Sequence, residues 1–210
     1  MKLLSIVAAS FLFTGTLARA DVLYRVDSGP ATERFNNSAG AENEDNWVAN
    51  AFVVVDGGTR LVSIEYPMGT PFVDQPVTAV IYQGVDITDP SAGDGLVRVQ
   101  TTDATITGDI GSIATIVLDT PVDFNVGDVF YAALLIRNVG PGDVVFPFYN
   151  QGVGPLGNSY FDVGPAMSAD YDLDQTGNAT VLGATHPVVG PGVQSAGNLF
   201  LRVNATDTPQ

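Results

Sequence analysis

The stretch "DVFYAALLI", residues 128–136, carries apolar side chains at odd and even positions alike. Alternate residues of a β-strand face opposite sides, so a strand with this composition needs cover on both faces and belongs in the middle of a sheet. The segments around it follow a period of two and are bounded by Gly, Pro, Asn and Asp. No window keeps apolar residues at i, i+3, i+4 and i+7 for three turns. The expected strands are "VLYRV" (22–26), "WVANAFVVV" (47–55), "LVSIEY" (61–66), "VTAVIY" (77–82), "LVRVQT" (96–101), "IATIVL" (113–118), the opening stretch, "VVFPFY" (144–149), "NSYFDV" (158–163) and "NLFLRVN" (198–204).

In "LVSIEY" the alternation predicts Val62, Ile64 and Tyr66 on a buried face and Ser63 and Glu65 outside. Pro147 removes a ladder donor from "VVFPFY" and predicts an edge position for that strand. The polar run "ATERFNNSAGAENEDN" (31–46) reads as a long loop. Val-Gly-Pro recurs at Val139, Val153, Val163 and Val189 without a constant spacing, which marks a turn device and not a repeat. About ten short strands with little or no helix predict two packed antiparallel sheets, an all-β sandwich of jelly-roll type, with a closed barrel as the alternative.

Residues 1–20, "MKLLSIVAASFLFTGTLARA", combine Lys2, an apolar run from Leu3 to Phe13 and the exit Ala18-Arg19-Ala20, the pattern of a secretory signal cleaved near Ala20. The expectation is a secreted chain, extracellular or periplasmic, with residues 21–210 as one β-sandwich domain and no membrane insertion. Removing Lys2 and Arg19 from the eight basic residues leaves six arginines against 23 acids, a formal charge of −17. Such a field repels phosphate backbones and anionic lipid, and favours neutral or cationic ligands. The apolar fraction of 45% is enough to support a packed interior despite the charge. Cysteine is absent, which excludes thiol catalysis, iron–sulfur clusters and cysteine–zinc sites.

The segment "SADYDLDQTGNATV" (168–181) places Asp170, Asp172 and Asp174 at alternate positions, with Thr176 and Asn178 close behind. These are hard oxygen donors of the kind calcium takes, so Asp170, Asp172, Asp174 and Asn178 are the candidate metal ligands. The first three fit positions 1, 3 and 5 of the helix-loop-helix template, but Gln175 replaces its glycine and Val181 its closing glutamate. The competing reading is a solvated turn whose carboxylates bond nearby backbone amides.

Catalytic chemistry has little to draw on. His186 is the single histidine and stands before Pro187, and no G-x-S-x-G elbow occurs. Of the four glutamates, Glu33, Glu42 and Glu44 fall in the polar run and Glu65 on an outer strand face. A glycoside-cleaving enzyme, which requires two convergent carboxyl groups, is therefore the weakest of the functional alternatives. Sugar recognition needs aromatic faces beside amide or carboxylate groups. Trp47, Tyr149, Tyr160 and Tyr171 supply the first, and Asn150 and Gln151 the second. A groove of Tyr149, Gln151, Tyr160 and Tyr171 is the candidate ligand site, although aromatic residues also dominate sandwich interiors. Asn36, Asn178 and Asn204 head N-glycosylation sequons, which in a eukaryote would mark surface loops.

The second half carries a succession of cues: Gly127, Asp128, Phe130 and Tyr131; then Gly157, Ser159 and Tyr160; then Asn198, Leu201 and Arg202. In this order the chain resembles the lectin-like, jelly-roll accessory modules of secreted bacterial proteins. The resemblance implies a non-catalytic binding or spacer module, with a neutral glycan or a surface protein as partner. Two functional classes follow: an extracellular binding module, calcium-stabilised or not, and a structural subunit of an extracellular matrix or appendage. The first would expose an aromatic-lined concavity and the second an unprotected strand edge.

Overall fold

The computed structural model describes residues 21–26, 33–36, 44–89, 95–139, 144–150, 159–163, 173–174, 180–181 and 197–207. These form thirteen strands: β1 (Val22–Tyr24), β2 (Glu33–Asn36), β3 (Glu44–Val53), β4 (Arg60–Pro67), β5 (Phe72–Gly84), β6 (Val97–Gly108), β7 (Ile113–Asp123), β8 (Val129–Val139), β9 (Val144–Asn150), β10 (Ser159–Val163), β11 (Thr180–Val181), β12 (Gly197–Leu199) and β13 (Arg202–Thr206). No helix occurs among the described residues. A four-stranded sheet has the order β1-β13-β4-β7, a six-stranded sheet β11-β10-β3-β8-β5-β6, and a three-stranded sheet β12-β9-β2. All pairings are antiparallel, and the first two sheets make the expected sandwich.

β8 occupies the position its composition requires, between β3 and β5. Phe130, Ala132, Leu134 and Ile136 point between the sheets and meet Leu61, Ile64, Ile116 and Val203 of the four-stranded sheet. Tyr131, Ala133 and Leu135 point the other way, into a second buried cluster with Trp47, Val80, Tyr82 and Tyr160. The six-stranded sheet is thus dry on both faces along its centre.

Four sequence expectations change in the structure. In β4 the ladder to β7 shifts between Leu61 and Ser63. A bulge inverts the alternation upstream of it, so Leu61 is fully buried and Val62 only partly so, while Ile64 and Tyr66 point inward as expected. The polar run 31–46 is not all loop, because it contains β2 and the first residues of β3. β9 is the middle strand of its sheet and not an edge. Pro147 is accommodated there because β12 pairs only with residues 148–150, leaving Arg34 of β2 as its single cross-strand neighbour. The last expected strand is split by Phe200 and Leu201 into β12 and β13, which belong to different sheets.

A buried polar tie fixes this split. Asn50 of β3, with no exposed surface, donates from Nδ2 to the Leu201 carbonyl at 2.7 Å and accepts the Ser159 hydroxyl at 2.7 Å on Oδ1. An apolar residue at position 50 would remove both hydrogen bonds from a fully buried position, a cost of about 0.5–1.5 kcal/mol per bond.

Candidate functional site

The outer face of the six-stranded sheet is built around three tyrosines. Tyr82 of β5 and Tyr131 of β8 stand directly opposite one another, and Tyr160 of β10 lies beyond β3. β3 presents only Ala49 and Ala51 between them on this face, which lets the rings of Tyr131 and Tyr160 meet at 5.3 Å between centroids. Trp47 packs edge-on against Tyr82 at 6.2 Å. Gly84 has no room for a side chain, since a Cβ would come within 2.7 Å of the Tyr131 ring.

Buried phenols need hydrogen-bond partners, and these find them in loop carbonyls. The Tyr82 hydroxyl donates to the Leu173 carbonyl at 3.0 Å, that of Tyr160 to Ile87 at 2.5 Å, and that of Tyr131 to Asp86. The sheet thereby holds two loops, residues 86–87 and residue 173, by their backbones. Burial raises the Tyr131 phenol above its ordinary range, and burial with the nearby Asp86 and Asp89 charges pushes Tyr160 up to about 12. Both hydroxyls therefore stay protonated as donors at neutral pH.

The acids of these loops face water. Asp86 accepts the Thr88 backbone N–H and hydroxyl, both at 2.7 Å, which hold its carboxyl below the usual range. Asp174 is paired with Arg98 of β6 at 2.8 Å, and Leu173 beside it is buried against the tyrosines. The aspartate-rich segment is therefore pinned to the sheet at residues 173–174.

Of the candidate metal ligands, only Asp174 falls within the described residues, and a guanidinium is its partner. Asp170, Asp172 and Asn178 lie outside them, as do Thr176 and His186. Of the candidate sugar site, Tyr160 is fully buried with its hydroxyl engaged, so its ring serves the second cluster and offers no open stacking face. Trp47 is likewise fully buried, and its Nε1 has no hydrogen-bond partner among the described residues. Tyr149 is placed in β9 opposite Asn198, and Gln151 and Tyr171 lie outside the described residues. Glu65 accepts a hydrogen bond from Asn204 at 2.9 Å across the β4–β13 pair, so that sequon asparagine sits in a strand and not in a loop. Asp86 and Arg98 were not singled out by sequence reasoning, because their roles depend on which loop crosses which strand.

Comparison with known proteins leaves the family open. No family model matches the chain and no curated protein matches it. A solved structure of a clostridial cysteine protease, Cwp84 after propeptide cleavage, matches with a TM-score of 0.53 at 10% identity, over 90% of this chain and 40% of that one. This chain spans less than half the length of that protein and contains no cysteine. The likeness is one of fold alone.

Proposed function

We propose that the chain is a secreted, non-catalytic β-sandwich that acts as an extracellular binding module for a neutral glycan or a surface ligand, of the lectin-like jelly-roll kind its second half resembles. The observation that carries this reading is the rigid outer sheet face that holds two acidic loops by their carbonyls. Loops positioned by a stiff scaffold are where binding groups concentrate. The formal charge of the sequence disfavours anionic ligands on such a surface and favours neutral or cationic ones. Calcium at Asp170, Asp172, Asp174 and Asn178 is part of the proposal, as a stabiliser of the pinned segment. Binding there requires Asp174 to turn from Arg98 to the metal. A glycan array with the secreted chain tests the ligand class, and thermal melting with millimolar calcium tests the metal. Calcium that binds only the folded form raises the midpoint; an unchanged midpoint removes the metal from the proposal, and an empty array removes the glycan.

A second reading, a structural subunit of an extracellular matrix or appendage, draws on the strand edges. β6 has twelve residues and β7 eleven, and each pairs on one side only among the described residues. The two edges lie beside one another, with the Asp119 N–H of β7 donating to the Thr102 hydroxyl of β6 at 2.9 Å, and edge groups left outside such contacts template pairing with another chain. Analytical ultracentrifugation distinguishes the two, since a subunit of this kind self-associates as its concentration rises and a soluble binder stays at one mass.

A further inference from the structure

The outer sheet face has a second polar feature, four residues along β5 from Tyr82. Asp45 of β3, Arg137 of β8, Thr78 of β5 and Asp103 of β6 form a line of contacts across four adjacent strands. Arg137 Nη1 lies 3.3 Å from Asp45 Oδ2 and Nη2 lies 3.4 Å from Thr78 Oγ1, and the Thr78 hydroxyl donates to Asp103 Oδ1 at 2.7 Å. Gln75 Nε2 donates to the Arg137 carbonyl at 2.5 Å and steadies the backbone there. Over this line opens a recess of about 350 Å³ whose walls include Pro76, Thr78, Asp103, Thr105 and Arg137, with Val77 and Ala104 also lining it.

We propose that this recess is a saccharide subsite that takes a neutral sugar ring through two adjacent hydroxyls. The proposal rests on the binding-module reading and names where the ligand sits. Its volume falls at the small end of ligand pockets, the size for one ring and not for a long chain. A carboxylate that only accepts and a guanidinium that only donates flank the same threonine. Two neighbouring sugar hydroxyls match that order, one donating to Asp103 and the other accepting from Arg137. Asp103 is exposed and has spent one oxygen on Thr78, so its second oxygen is available to a ligand. Arg137 is partly buried and held by Asp45, so its planar fork is oriented before the ligand arrives. Pro76, exposed on the same face as Thr78, supplies apolar surface for the C–H side of the ring. The charge balance selects against sialic and uronic acids, which would bring a carboxylate to a strongly acidic protein.

The experiment is a monosaccharide titration followed by amide NMR, run beside a glycan array on the same protein. The expected result is binding on the array with shifts at Thr78, Asp103 and Thr105. Thr105→Trp, which fills the recess without touching the polar line, and Asp103→Ala should each weaken binding at least tenfold while the melting temperature of Thr105→Trp stays within a few degrees of the parent. Arg137→Gln should weaken it as well, and a folded spectrum separates lost binding from lost structure. Glycan binding with shifts elsewhere, or binding unaffected by Thr105→Trp and Asp103→Ala, overturns this subsite and leaves the binding-module reading intact. Absence of any response on both the array and the titration overturns the subsite together with the glycan reading on which it rests.

Discussion

Leu134 and Leu135 are adjacent in the chain, equally buried, and belong to different kinds of interior. Leu134 lies between two hydrogen-bonded sheets, where its neighbours are side chains fixed on ladders from both sides. Leu135 belongs to a cluster that also takes in Leu173, Ile87 and Leu96, and tyrosine hydroxyls of the sheet hold the carbonyls of Leu173 and Ile87. Among the described residues, one interior is closed by paired strands on both sides and the other by loops tied through single hydrogen bonds to carbonyls. The lesson is that the same strand can serve as structural centre on one face and as a mounting surface for loops on the other.

Truncation separates the two most sharply. Leu134→Ala should cost about 3–4 kcal/mol and Leu135→Ala about 2 kcal/mol, because loops settle into a cavity more readily than paired strands do. Urea unfolding measures both, and equal losses would erase the distinction. Gly84→Ala drives a methyl group into the Tyr131 ring and should cost about 1–3 kcal/mol; an unchanged urea midpoint would mean that the ring moves aside freely.

The tyrosines give the next effect. Tyr131 and Tyr160 have folded-state values raised above the ordinary value of 10. Raised values mean that their contribution is fully present below pH 10 and is lost as pH climbs through the folded values, about 12 for Tyr160. Melting temperature should therefore hold up to pH 10 and fall beyond it. The Tyr131→Phe/Tyr160→Phe double variant should fall less steeply, at a cost near neutrality of about 0.5–1.5 kcal/mol per lost hydrogen bond. Hydrogen exchange at residues 85–89 should quicken in that variant while β4 and β13 stay protected, and uniform quickening would contradict separate sealing. The smallest change belongs to Arg98→Gln. Its ion pair with Asp174 is 38% and 60% exposed, so the loss should be no more than about 0.5 kcal/mol and should vanish in high salt.

Much of the first interior is readable from the amino-acid order. The unbroken apolar run of β8 announces a strand covered on both faces, and the alternation of β4 places Ile64 and Tyr66 correctly. What escapes is whatever depends on one extra residue or on a backbone partner. The bulge at Leu61–Ser63 swaps Leu61 for Val62, and no residue type at 62 signals it. The second interior is harder to read because its covers attach through carbonyls, which every residue possesses. Tyr160 thus reads equally well as a sugar platform or a roof tie until its partner, the Ile87 carbonyl, is located. Pro147 misleads for a related reason, since a short neighbouring strand lets a proline sit in a central position.

The placement of β13 between β1 and β4 has a bearing on how the chain is made. β1 emerges among the earliest described residues, yet among the described residues its ladder partner is β13, which follows every other strand in sequence. The four-stranded sheet cannot close during elongation, and Asn50 likewise waits for Leu201. Deleting Arg202–Thr206 would therefore strip β1 of its mate as well, so a loss late in the sequence would be felt at its first strand.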